Sequence, residues 1–157
     1  MQSIIISPSD VSAPEVLQLF SELDDFFLDF LGDDREYYHR YCREGENICG
    51  VWVAYIDGVA WTAGCAAYRE KPDGVGELKR MYVKKEYRGR GISKLLLAAV
   101  EDHAKRRGDR ALCLSTRITL EPAVTLYRKH GFAETFRSGL YVEMEKNITE
   151  DDKSHEP

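Results

Sequence analysis

The sequence predicts one α/β domain with a mixed, mostly antiparallel central sheet and helices on both faces. Three observations predict it. Two β-rich runs, residues 48–56 and 59–68, meet at Asp57-Gly58, a dipeptide that favours a type I′ hairpin turn. Later in the chain, strand-like and helical runs alternate, each helical run closing on a glycine. The length of 157 residues, 43% hydrophobic, suits one domain with a true core and excludes wholesale disorder.

Residues 3–7 read as a short opening strand. Ser12 or Asp10 is placed to cap a helix with Pro14 in its first turn and apolar residues at 16, 17, 20, 23, 27, 28 and 31. A second helical stretch, 33–43, carries Tyr37, Tyr38 and Tyr41. After the hairpin, a polar turn at 71–74 leads into a third run, 76–83. Residues 91–107 form an amphipathic helix closing at Gly108. Residues 111–116 are strand-like, 121–130 a helix ending at Gly131, and 140–144 a final strand. The domain is expected over 1–146, followed by an acidic tail, 147–157, without a packing pattern.

The net charge of −5 is unevenly spread. Residues 1–70 carry −9, residues 71–146 carry +7, and the tail carries −3. A basic central block suits an anionic ligand, while the overall acidity argues against nucleic acid as partner. The weakly charged stretch 47–68 is cut by Asp57-Gly58 into halves too short to span a bilayer, and nothing at the start resembles a leader. A cytoplasmic protein without a membrane partner is expected. Cys42, Cys49, Cys65 and Cys113 form no CxxC pair and no zinc-spaced cluster, so no metal is expected. The last three, in apolar runs, read as packing residues.

The chemically informative segment runs from Glu77 to Lys94. A strand ends near Val83, and a loop containing Arg88, Gly89, Arg90 and Gly91 opens directly into a helix at Ile92, Ser93 and Lys94. Such a loop offers free backbone N–H groups at the positive end of a helix, where phosphate binds. Gly89 and Gly91 permit positive φ and close approach, and Arg88, Arg90 and Lys94 add cationic charge. The loop lacks the spacing of a Walker motif and the third glycine of a dinucleotide fingerprint.

Arg88-Gly-Arg-Gly91-Ile-Ser93 resembles the acyl-CoA-binding motif of the GNAT superfamily of N-acetyltransferases, Arg/Gln-x-x-Gly-x-Gly/Ala at a strand-to-helix junction. Ser93 departs from the last position but is small enough to keep the approach. Leu126-Tyr127-Arg-Lys-His-Gly131-Phe132 is similar to the family's second element, and the resemblance covers residues 48–145. It implies a GNAT-like fold and acetyl-CoA as acyl donor. It also implies that the backbone of Met81, Tyr82 and Val83 meets the pantetheine arm and that residues 88–94 bind the diphosphate. By the same resemblance Tyr127 would protonate the departing thiolate, and Glu77, eleven residues before Arg88, would be the general base through water. The plain alternatives are a packing tyrosine and a Glu77–Lys79 surface pair. Strand alternation places Glu77, Lys79, Met81 and Val83 on one face and Leu78, Arg80 and Tyr82 on the other. Leu120 stands where the family often has asparagine, which puts that cofactor contact in doubt.

The acceptor is expected to be an amine, on a small molecule or a peptide. Acidic residues on the first two helices (Asp24, Asp25, Asp29, Asp33, Asp34 and Glu36) favour a cationic one such as a polyamine, an amino acid side chain or an aminosugar. His103 and His130 read as structural, and Trp52 and Trp61 as core or cleft wall. A monomer or a homodimer fits equally well. A non-catalytic acyl-CoA sensor and a phosphate-binding module are the competing readings.

Overall fold

The computed structural model describes residues 3–31, 47–58 and 61–149. Seven strands form one sheet in the order β1-β2-β3-β4-β5-β7-β6. In chain order these are β1 (Ile4–Ser9), β2 (Ile48–Ile56), β3 (Trp61–Lys71), β4 (Val75–Val83), β5 (Ala111–Arg117), β6 (Ala133–Ser138) and β7 (Tyr141–Asn147). Three helices are described: α1 (Pro14–Leu31), α2 (Ile92–Arg107) and α3 (Glu121–Lys129). Among the described strands only β4 and β5 pair in parallel, because α2 carries the chain across between them. The mixed, mostly antiparallel sheet is therefore as expected, and no described helix is long and apolar enough to cross a membrane.

Helical periodicity divides the core in two. Val16, Leu19 and Phe20 of α1 pack on Val51, Val53, Cys65 and Ala67, one face of β2 and β3. The other face buries Ala54, Ala66, Tyr68 and Leu78 against Leu96, Leu97 and Val100 of α2 and Tyr127 of α3. Each such aliphatic or aromatic side chain contributes about 1.5–3 kcal/mol. Asp57 and Gly58 both have positive φ, 55° and 83°, as the hairpin signal requires. Gly108, at φ 87°, ends α2 by donating to the carbonyls of Ala104 and Lys105.

Several boundaries differ from expectation. Neither Asp10 nor Ser12 bonds a helical amide. Asp10 instead accepts from the Ser12 N–H (2.7 Å) and hydroxyl (2.5 Å), and the Ala13 carbonyl starts α1. Strand β6 was not expected; all six of its residues are exposed, so it carries no alternating apolar signal. Ile148, assigned to the unpacked tail, is buried, and its N–H donates to the Arg110 carbonyl (3.0 Å). Cys49 and Trp61 are exposed rather than packed, whereas Cys65 and Trp52 are buried. The expected helix at 33–43 and the tail from residue 150 lie outside the described residues.

Gly64 sets the spacing of the two central strands. A Cβ there would stand 2.3 Å from the Tyr82 carbonyl oxygen and 3.1 Å from the Val83 Cα, both main-chain atoms that cannot swing aside. Gly64→Ala is expected to cost about 1–3 kcal/mol in urea unfolding. An unchanged midpoint would mean that β3 and β4 separate at no cost.

Candidate active site

The site begins where the sheet comes apart. β4 and β5 pair only through Val75–Ala111, Gly76–Leu112 and Glu77–Cys113. Beyond Glu77 the strands diverge, and a cavity of about 550 Å³ opens between them, with α1 on one side and α3 on the other. β4 also carries an extra residue. Its register with β3 shifts between Ala67–Lys79 and Cys65–Tyr82, and Arg80 takes φ 55° at the bulge.

This bulge corrects the simple alternation. Met81 and Val83 pack with Leu78 in the α2–α3 core, while Tyr82 packs with the α1 core. A positive φ is costly for arginine, about 1–2 kcal/mol. Its surroundings hold it: Arg80 Nη1 lies 2.5 Å from Asp24 Oδ1, its guanidinium sits 4.9 Å from the Phe20 ring centroid, and the Cys65 thiol donates to its carbonyl (3.4 Å). Asp24, grouped above with the acids of a cationic acceptor site, is thus engaged by Arg80. Asp25 and Asp29 are exposed, and Asp33, Asp34 and Glu36 lie outside the described residues. Asp24→Asn is expected to lower stability by about 1–3 kcal/mol, since the Arg80 side chain is only 6% exposed. Unfolding of the variant at the wild-type midpoint would refute that.

At the other end of β4 the short 3₁₀ turn Lys85–Tyr87 leads into the glycine loop. Gly89 and Gly91 both have φ 79°, and a Cβ on either would meet no atom within 4 Å. The space in front of them is open, as a bound diphosphate needs. Gly91 is the N-cap of α2 and no side chain caps the helix, so its first amides keep their donors for a ligand. Ile92 is buried and anchors the turn through its side chain, leaving only its main chain to the loop. Ser93 lines the cavity and Lys94 is exposed. Arg88 is partly engaged already: its Nε donates to the Val83 carbonyl (3.0 Å), and its guanidinium sits 5.8 Å from the Phe26 ring centroid. Arg90 leans on the Tyr87 ring at 5.3 Å.

Glu77 and Tyr127 line the same cavity. Glu77 is 8% exposed, and its partner is Arg69, directly across on β3, with Nη2 2.5 Å from Oε1; the Lys79 pair is not formed. Tyr127 is 6% exposed and stacks edge-on against Phe132, with centroids 5.8 Å apart. Burial pushes its phenol well above the ordinary tyrosine value, so it carries its proton at neutral pH. Among the described residues, no group of His, Cys, Asp and Glu could hold a metal ion.

The model of the Acetyltransferase (GNAT) family matches residues 16–132. The chain belongs to that family. It is similar to an "IAA acetyltransferase" of Azospirillum brasilense, 31% identical over 90% of this chain and 92% of that one. Longer relatives are spanned over only 41–53% of their length. Among solved structures, the fold is shared with a PaiA N-acetyltransferase from Thermoplasma acidophilum in complex with coenzyme A. That match has TM-score 0.73 and 22% identity, and covers 92% of this chain and 99% of that one. It is shared also with a GNAT family acetyltransferase from Elizabethkingia anophelis with acetyl-CoA bound (TM-score 0.65, 18% identity, 92% and 97% coverage). Acetyl-CoA as acyl donor fits the family and the open glycine loop.

The GNAT cavity also contains residues that the sequence reading passed over. Leu23, Phe26 and Phe27 of α1 form one wall, and Ser115 and Thr116 of β5 another. The apolar periodicity of α1 included Leu23 and Phe27, but nothing local showed that the helix ends over the site. Arg69 escaped because its link to Glu77 exists only through strand pairing. Leu120 lines the cavity with an apolar side chain, so no amide is offered there. His103 lies between the Trp52 and Tyr68 rings (5.0 and 4.8 Å), and burial lowers its pKa. It is packed on the core side, away from this cavity's lining.

Proposed function

We propose that this GNAT protein transfers an acetyl group from acetyl-CoA directly to a primary amine. Glu77 acts through water as general base and Tyr127 as general acid. The loop Arg88, Gly89, Arg90, Gly91, Ile92, Ser93 and Lys94 takes the diphosphate, and the main chain of Met81, Tyr82 and Val83 takes the pantetheine arm. One observation carries this reading: Glu77 and Tyr127, each more than nine-tenths buried, face one cavity that also reaches Arg88 and Ser93.

The chemistry balances on these groups. The neutral amine nitrogen bonds to the acetyl carbon, and its surplus proton passes through water to the Glu77 carboxylate. The carbon–sulfur bond breaks, and the departing sulfur takes the Tyr127 proton, which solvent later restores. A thiolate leaving beside apolar side chains, away from bulk solvent, is itself made more basic, which offsets the raised phenol. Arg69 fixes the Glu77 carboxylate in position. Main-chain N–H groups of β4, freed where β5 diverges, are available to polarise the acyl oxygen.

Release of free thiol from acetyl-CoA against an amine panel tests the reading. Glu77→Gln is expected to lower kcat/KM about 100-fold at pH 7 with coenzyme A affinity retained. Coenzyme A binding without thiol release from any amine would make the chain a binding module instead.

A further inference from the structure

Among the described residues, four charged ones line the cavity, and three of these are engaged within the protein. Glu77 pairs with Arg69, Arg80 with Asp24, and Arg88 with the Val83 carbonyl and the Phe26 ring. Lys79 is the fourth. It is half-buried in the cavity wall, with no ion pair or hydrogen bond among the described residues. A half-desolvated ammonium beside apolar side chains is stabilised by an anion, and no described residue is paired with it.

The diphosphate is too far away to be that anion. Lys79 lies four residues before Val83 on β4, roughly 13 Å along an extended strand, and the glycine loop starts further on. Glu77 is much closer. Arg69–Glu77 and Ala67–Lys79 keep a regular register, so Glu77 and Lys79 lie on one face, about 7 Å apart at the main chain, before the bulge at Arg80. A carboxylate and an ammonium so placed can bracket a molecule bearing an amine and a carboxylate on one carbon. The adjoining wall from α1 is apolar: Leu23, Phe26 and Phe27.

We propose that the acceptor is an α-amino acid with an aromatic or large apolar side chain. Its amine is presented to Glu77, its carboxylate rests on Lys79, and its side chain lies against Phe26 and Phe27. The proposal rests on the amine-acetylation reading of the same cavity. It disfavours a polyamine, whose second positive charge would meet the Lys79 ammonium.

Four acceptors decide it by thiol release from acetyl-CoA: L-phenylalanine, 2-phenylethylamine (no carboxylate), L-alanine (no ring) and spermidine. The expected kcat/KM for L-phenylalanine exceeds each of the others about tenfold or more. Lys79→Met should bring the ratio of L-phenylalanine to 2-phenylethylamine close to one, and Lys79→Arg should keep most of it. Coenzyme A affinity on the same samples reports that each variant is folded, and the wild-type ranking is a test independent of any variant. Spermidine or 2-phenylethylamine turning over as well as L-phenylalanine would overturn the proposal while leaving N-acetyl transfer intact. So would a ratio unmoved by Lys79→Met. Absence of thiol release with every amine, with coenzyme A still bound, would remove both.

Discussion

Gly91→Glu is expected to weaken acetyl-CoA binding at least about 100-fold while leaving the fold in place. Two effects act together. At φ 79° a residue with a Cβ is strained by about 1–2 kcal/mol, which pulls the loop away from its observed turn. The new carboxylate would then occupy the α2 N-terminus, where it would satisfy the amides and repel a diphosphate. A Cβ at this position meets no atom within 4 Å, so the substitution need not disturb the core. Calorimetric titration with coenzyme A measures the loss. Wild-type affinity in a folded Gly91→Glu protein would place the diphosphate elsewhere.

The second large effect is expected at Tyr127. Tyr127→Phe keeps the edge-on contact with Phe132 and the buried volume, and removes only the proton donor. General acid catalysis contributes typically 10²–10⁴-fold, so kcat should fall by about 100-fold or more with the KM for acetyl-CoA little changed. The pH profile gives a second readout. Because burial raises the phenol above its ordinary value, it stays protonated through neutral and mildly alkaline pH. The wild-type rate should therefore show no loss from this group until above about pH 10. An alkaline decline well below that, absent in Tyr127→Phe, would contradict the environment described. A Tyr127→Phe enzyme of full activity would reduce Tyr127 to a packing residue.

The features legible in the sequence were those encoded by local spacing. Apolar residues at helical intervals in 16–28 and 92–104, the Asp57-Gly58 turn and the glycines at 91 and 108 each state their geometry within a few residues. The glycine loop was legible for the same reason, since positive φ and a helix start are short-range properties. The features that escaped depend on distant parts of the chain. Nothing around Arg80 announces a left-handed backbone; the bulge persists because Asp24 and Phe20, 56 and 60 residues earlier, hold its side chain. The Arg69 partner of Glu77 escaped for a related reason. Lys79 is its neighbour in sequence, but strand pairing brings Arg69 closer. β6 shows a different limit: with every residue exposed, an edge strand has no buried face to pattern. The acceptor wall combined both problems, since Phe26 and Phe27 matter only where the far end of α1 meets the gap between β4 and β5.

Acetyl transfer at this site depends on a diphosphate held by main-chain nitrogens at the start of α2, with the acyl end carried inward between the parted strands. A crystal structure with coenzyme A bound is the most direct measurement. The expected result places diphosphate oxygens about 3 Å from the amide nitrogens of residues 89–94 and the sulfur in the cavity beside Tyr127. A coenzyme A bound elsewhere, with this loop contacting no phosphate, would contradict the account at its base.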